Sequence, residues 1–470
     1  MKIMKNSNQT SASRRFVAVM CALFLTVGLL FSCNEAPKEE NKPEFSLCGK
    51  DISQYRVVIP EEATVYEEYT AKLLCREIKE VSKKSLKTVT DREKPTECEI
   101  LIGATSRAES SVKASFKNNE YFVFTKGTKV VLMGSLYAVA GGIPDILSEI
   151  CGDSTVSDNN NCRTLKSDEC SSVILLIGDG MGKNHILLSQ TEDIQVLSDE
   201  GKAYTPEETG DSVFAAESFP VKGSVTTVNI NGEITDSAAS ATALATGYKT
   251  ENGVLGMIPA DLDGDGEKDE LSSVQNVREA ACLAGKKTAV ISTDRERGAT
   301  PNAFLVHHSY RYDSDVILEQ QKAQSSSFKP TYFNCSYDSE EFTDFIWEAL
   351  TSCENENGFF IMAEEAMIDK YASRLDFDNV IRTVKRLNDG VALCAVYAAC
   401  HPEVAVIVTA DHETGGLTVT EKGEFMWTSL GEHTDTPVAV YAMGGGTEVL
   451  GKDIDNTDIA KFIFSAVSAE

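Results

Sequence analysis

Three stretches of this 470-residue chain share one design, a short apolar run that passes through glycine or threonine into an aspartate. They are "SVILLIGDGMG", "GKKTAVISTD" and "VAVIVTADHETGG", and they deliver Asp179, Asp294 and Asp411. Runs of this length with no polar alternation read as strands buried on both faces, and the helical stretches between them point to an open α/β sheet. In such sheets ligands bind beyond the carboxyl ends of the strands, so three aspartates at one edge predict a polar site there. The design starts at Ser171, which assigns residues 171–470 to one domain: an α/β three-layer sandwich with a mostly parallel central sheet.

The chain before Ser171 has a different texture. Residues 1–33 combine a basic start ending at Arg14 and Arg15, an apolar run from Phe16 to Phe31, and the ending "LFSC" at Cys33. The run is shorter than the roughly 20 residues of a membrane-spanning helix and has the layout of an export signal. "LFSC" resembles the lipobox of bacterial lipoproteins, which implies a lipidated Cys33 and an exported protein anchored to a membrane of the cell envelope; a plain signal peptide is the alternative. Residues 34–50, with the acidic "NEAPKEENKPE", are expected to be a solvated tether.

Residues 51–152 predict a small α+β domain. "YRVVIP", "EILIG", "YFVFT" and "KVVLMG" are strand-like, the last two joined by a hairpin signal, and "TVYEEYTAKLLCREIKEVS" has helical periodicity. A second helix is expected over "YAVAGGIPDILSEICG", closing at Gly152. This order resembles the accessory domain that precedes the catalytic barrel in alpha-glucuronidases and some hexosaminidases, a packing domain without chemistry. Residues 153–170 read as a linker.

Composition removes one class of partner. With 44 basic and 72 acidic residues the net charge is −28, and no concentrated basic face exists for a nucleic acid to bind. Of 13 cysteines, Cys21 and Cys33 belong to the export segment; the remainder run from Cys48 to Cys400, show no C-x-x-C spacing, and leave disulfide pairing open.

The segment "TDSAASATALATG", residues 235–247, offers several hydroxyls. Asp236 is a good N-cap and Gly247 a natural stop, so Ser237 would sit at a helix N-terminus, where backbone N–H groups favour an anion. Alone, the stretch is a capped helix packing its small face. Together with "IGDGMG", "EEAMIDK", "TADHETGG" and "GEHT", in that order and at strand ends, it makes residues 171–470 similar to the alkaline phosphatases.

That resemblance implies an enzyme that hydrolyses phosphate monoesters through a phosphoserine, with two zinc ions and one magnesium ion. The residue types suit the chemistry. A serine hydroxyl is a poor nucleophile unless a cation lies on its oxygen; carboxylate and imidazole suit zinc, and oxygen ligands suit magnesium. By the same resemblance Ser237 is the nucleophile, and Asp179, Asp411 and His412 complete the zinc site at its oxygen. Asp179 would bridge to magnesium with Thr300 and Glu364. Arg311 would hold two phosphate oxygens as a planar fork, and Lys370 would contact phosphate through water.

The second zinc site departs from the family pattern. Asp369 and His433 match, but the position expected to carry a histidine, four residues after Asp369, is Ser373. Either Asp376, one turn on, substitutes or the ion is held weakly. The family's long insert between Arg311 and Glu364 is also missing, which predicts a more open site and an altered or absent dimer interface. Rival readings are a phosphodiesterase of the same superfamily and a phosphate- or metal-binding surface lipoprotein with little turnover. Sulfatases are disfavoured because "TDSAASATA" lacks their C/S-x-P-x-R segment.

"DLDGDGEKDE" is separate. Asp261, Asp263 and Asp265 with Gly266 copy the first half of an EF-hand-type calcium loop, Asp269 could add a ligand, and position twelve is Ser272 instead of glutamate. Calcium binding and a solvated acidic turn are equal expectations. His307 and His308 are expected to be structural; His185 and His401 have no assigned role.

Overall fold

The apolar runs pair at the centre of an eight-stranded sheet. Ser172–Gly178 lies between Phe359–Glu365 and Val404–Thr409, and every residue of these three strands is buried. That is why they carry no polar alternation. Lys287–Ser292 and Tyr332–Cys335 continue the sheet on one side; Val438–Met443, Val221–Thr226 and Asp453–Asp455 continue it on the other. Only Val438–Met443 runs against the rest. The register sets Ile177 opposite both Glu364 and Thr409, so the parallel strands end level and Asp179, Glu364 and Asp411 emerge at one edge.

This computed structural model describes residues 44–112, 114–198, 201–210, 213–260 and 270–468. Helices cover both faces of the large sheet. Ser237–Thr246, Val277–Leu283 and Asn456–Val467 pack together on one; Lys183–Gln190, Phe342–Cys353 and Phe377–Cys400 pack on the other. The short segment in place of the family's long insert is ordered as helix Ser314–Ala323, strand Tyr332–Cys335 and helix Phe342–Cys353.

A second sheet of six strands holds the N-terminal part. Thr88–Thr90, Arg56–Ile59, Glu99–Ile102 and Lys129–Gly134 are parallel, followed by antiparallel Glu120–Lys126 and then Arg163–Thr164. Helix Val65–Ser82 starts on a capping box of Thr64 and Glu67. The expected second helix is shorter than the sequence suggested: Leu136–Gly142 is a 3₁₀ turn, and the α-helix spans only Ile143–Ile150. Gly141 and Gly142 disfavour the α form, and Pro144 sits in the first turn where its missing N–H costs nothing.

Both segments flanking this sheet carry structure. Ser46–Leu47 and Lys50–Asp51 form a small hairpin with Leu47 fully buried, so residues 46–51 belong to the folded part and not to the expected solvated tether. Arg163–Thr164 of the expected linker supplies the sixth strand, and Val156 is buried as well. Helix Phe377–Cys400 packs against Leu136–Gly142 and Val65–Ser82 as well as the large sheet, and one apolar core runs through both sheets. The eleven cysteines from Cys48 to Cys400 are free thiols.

The acidic loop with Asp261, Asp263, Asp265 and Asp269 lies outside the described residues. Its flanks, Met257–Ala260 and Glu270–Ser273, pair as an antiparallel hairpin, whereas an EF-hand loop joins two helices. Cys33 and the export segment also lie outside the described residues.

Candidate functional site

Ser237 is the first residue of its helix, which Asp236 caps by accepting from Ala239 N at 2.9 Å. All ten helix residues are buried; alanine, serine and threonine let the backbone come close to the sheet. The Ser237 hydroxyl lies 3.3 Å from His412 Nε2. His412 follows strand Val404–Thr409 by way of Asp411, whose Oδ1 accepts from Gly180 N at 3.1 Å and His412 N at 3.0 Å. That leaves Asp411 Oδ2 3.4 Å from His412 Nε2, with Asp179 Oδ1 3.5 Å away on the same nitrogen. Gly180 has φ +72°, and a Cβ there would collide with Thr414 Oγ1 and the Asp369 backbone.

The electrostatics are those of a cluster short of positive charge. Burial, then the charges of Asp411, Asp369 and Glu364, push Asp179 well above the usual carboxylate range, with Lys370 opposing. Burial holds His412 below its ordinary value despite Asp411. Asp179 Oδ1, Asp411 Oδ2 and Thr300 Oγ1 are buried with no hydrogen-bond partner among the described residues. Buried polar atoms are almost always paired, so two carboxylate orphans that share one histidine nitrogen call for a ligand. Asp179, Asp411 and Thr300 all belong to the residues expected to ligate zinc or magnesium, and the donor set of carboxylates, hydroxyls and imidazole suits those ions.

Around Thr300, Glu364 is the last residue but one of strand Phe359–Glu365 and accepts a hydrogen bond from Ser292 Oγ. Burial and the charge of Asp294 push its carboxyl up to about 8. Lys370 Nζ lies 3.0 Å from Asp294 Oδ2, and although burial opposes its charge, Asp179, Asp294 and Glu364 hold it above the ordinary lysine range. Asp294, for which the sequence supplied only a strand-end position, thus joins the cluster as the partner of Lys370. Gly298 makes room for it, since a Cβ at 298 would stand 2.6 Å from Asp294 Oδ2.

The Asp369 side is thinner. Asp369, on the short helix Met367–Ala372, accepts from Thr414 Oγ1 at 2.6 Å and lies 3.4 Å from His433 Nε2. Burial opposes its charge, yet the hydrogen bond from His433 and the charges of His412 and His433 hold it well below the usual range. His433 Nδ1 donates to Thr235 O at 3.0 Å, and against burial Asp369 brings the ring up to about 9. The His412 and His433 rings stack at 3.7 Å between centroids. Asp369, His412 and His433 present ligand atoms within 4.8 Å of one another, as do Asp179, Asp411 and His412.

Ser373 takes no part. It is exposed, and its hydroxyl donates to Asp369 O at 2.8 Å as an ordinary helix-end bond. Asp376 does not substitute for the missing histidine. It caps helix Phe377–Cys400, with Oδ1 accepting from Asn379 N at 3.1 Å and Oδ2 from Asn379 Nδ2 at 2.7 Å. Thr414 is the other residue that sequence reasoning missed; it also stands 3.3 Å from His412 Nδ1, and its signal was its place two residues after His412.

Arg311 closes the site from a loop, its guanidinium 2.9 Å from Asp236 Oδ2. Of the other histidines, His307 bridges Gly256 O and Glu279, His308 pairs with Leu255 through backbone, and His185 accepts from Gly182 N.

Fold and site together define an α/β protein with a buried cluster of carboxylates and histidines around a serine at the carboxyl edge of its sheet. The alkaline phosphatase family model matches residues 170–334. Alkaline phosphatase 4 of Bacillus subtilis (strain 168) is 27% identical over 318 residues, covering 55% of this chain and 65% of that protein. Alkaline phosphatase of Escherichia coli (strain K12) is 32% identical over 168 residues, 34% of this chain and 30% of that one. Among solved structures, alkaline phosphatase from the Antarctic bacterium TAB5 shares the fold with a TM-score of 0.51 and 22% identity, covering 65% of this chain and 99% of that one. Residues 170–334 thus match the alkaline phosphatase family model, and the chain is similar in sequence and fold to alkaline phosphatases. It spans 65% of the length of the first Bacillus relative.

Proposed function

We propose that this chain hydrolyses phosphate monoesters through a phosphoserine on Ser237, at a site that takes zinc and magnesium. The observation that carries the reading is the convergence of orphaned Asp179 Oδ1 and Asp411 Oδ2 on His412 Nε2, which lies 3.3 Å from the Ser237 hydroxyl. Asp179, Asp411 and His412 would hold one zinc, Asp369 and His433 a second, more weakly, and Asp179, Thr300 and Glu364 the magnesium; a TAB5 alkaline phosphatase variant is described with magnesium in its M3 site. Held by these residues, the cations would supply the Lewis acidity that a serine nucleophile and an alkoxide leaving group need.

The chain's own residues do the rest. Ser237 Oγ attacks phosphorus as the bond to the leaving oxygen breaks, and water later cleaves the phosphoserine. Arg311 grips two equatorial oxygens, and Asp236, which holds both Arg311 and the helix N-terminus, aligns fork and nucleophile. The carboxyl edge at which these groups meet is also where ligands sit in open α/β sheets. The "LFSC" ending supports a lipid anchor at Cys33, and hence an exported enzyme acting on small phosphate esters at a membrane surface.

The test is turnover of an aryl phosphate with zinc and magnesium supplied, in the wild type and in Ser373→His. We expect activity in both, rising at least about tenfold in the variant as the third ligand is restored. No turnover in either protein would overturn the enzyme reading and leave a binding protein.

A further inference from the structure

We infer that the esters this chain prefers carry a planar aromatic leaving group, which Tyr312 and Tyr310 receive on either side of Arg311. The inference rests on the phosphomonoesterase reading and names the substrate class within it. Arg311 is the residue placed to grip phosphate, and its side chain is only 19% exposed, tied to Asp236 at the head of the Ser237 helix. Its two neighbours do the opposite: Tyr310 is 56% exposed and Tyr312 69%.

Those rings are nevertheless ordered against each other. Their centroids are 5.4 Å apart at an interplanar angle of 68°, and the Arg311 guanidinium carbon stands 5.4 Å from the centre of the Tyr312 ring. The backbone beneath them is pinned as well. Arg311 N donates to Gly253 O at 2.8 Å, Asp313 N to Tyr310 O at 3.1 Å, and Ser314 N to Tyr312 O at 2.9 Å. Two phenol rings meeting at an angle form a corner with one face and one edge free, the arrangement in which a third aromatic ring packs best. Tyrosines already held in place bind at a low cost in conformational entropy.

A second observation points the same way. Ile234, two residues before Asp236, is 46% exposed, and Leu430, three residues before His433, is 86% exposed. Segments that carry the polar centre thus present large apolar side chains to solvent. An aliphatic polyol gains little on such a rim, whereas a flat ring gains stacking in addition to area.

Two pairs of esters test this with the leaving alkoxide kept primary in every case: adenosine 5′-monophosphate against ribose 5-phosphate, and benzyl phosphate against cyclohexylmethyl phosphate. The expected result is a preference in kcat/KM for the aromatic member of at least one pair, falling roughly tenfold in Tyr312→Leu and retained in Tyr312→Phe. Preference in the nucleotide pair alone would place the ring one sugar away from the phosphate; preference in the benzyl pair would place it beside the ester oxygen. Equal turnover within both pairs, or a preference that survives Tyr312→Leu and Tyr310→Leu, would overturn the inference while leaving the phosphatase reading intact. No turnover of any of the four esters by the wild type would remove that reading, and the inference with it.

Discussion

The two sheets each bury acid, and they treat it in opposite ways. In the smaller sheet Glu99 is fully buried, with Arg56 at 2.7 Å, Arg107 at 3.2 Å and Lys129 at 3.2 Å. Burial alone would raise its pKa, but those cations and Thr96 N bring it down to about 2. At the edge of the larger sheet Asp179, Asp411, Asp369 and Glu364 gather with Lys370 as the nearby lysine, and Glu364 is pushed up to about 8. The first cluster is electrically complete and its oxygens are hydrogen-bonded. The second is incomplete and holds orphaned oxygens, which is the condition of a centre built to receive cations. The same contrast recurs inside the larger site, where the Ser237 side has three ligand residues and the Asp369 side lacks one at Ser373.

If Glu99 is a completed structural cluster, removing its charge should be the most damaging of these changes. Glu99→Gln leaves Arg107 buried without a carboxylate partner, while Lys129 keeps Glu109 at 3.2 Å and Arg56 keeps Glu93 at 3.0 Å, and urea unfolding should show a loss of about 3 kcal/mol. A loss under about 1 kcal/mol would mean that solvent screens the cluster.

Acid should act on the same cluster more gradually. The folded pKa of Glu99 is depressed from 4.5 to about 2, so its contribution is present above about pH 4.5 and is lost as pH falls toward 2. The stability difference between wild type and Glu99→Gln should therefore shrink across that window, and a constant difference would contradict the assignment.

The smallest effect should have the opposite sign. Asp179→Asn removes one of several like charges from the uncompensated cluster, so the metal-free protein should gain on the order of 1 kcal/mol while zinc binding weakens by more than about 100-fold. Calorimetry with and without zinc reads both, and destabilisation of the metal-free variant would mean that the aspartate is structural.

Much of this was legible along the chain. The apolar runs ending in Asp179, Asp294 and Asp411 located the buried strands and the edge where they terminate, because a strand covered on both faces has no use for polar alternation. Asp236 and Gly247 bracketed the Ser237 helix because capping is local. Less was legible where partners are far apart. The pairing of Asp294 with Lys370 joins residues 76 positions apart, and Gly298 matters only because a folded loop brings Asp294 against it. Strands as short as Arg163–Thr164 have no period to read, so a segment composed like a linker became a sheet edge.

By itself, then, the sequence determined the α/β class, the capped helix that begins at Ser237 and the serine at position 373, since each depends on local chemistry or a short pattern. Only the tertiary structure decided that Asp376 is spent on a helix cap, that Thr414 holds Asp369, and that Tyr310 and Tyr312 stand exposed beside a partly buried Arg311. Those are facts about which side chains meet and which stay in water, and no local rule reports them until distant segments pack.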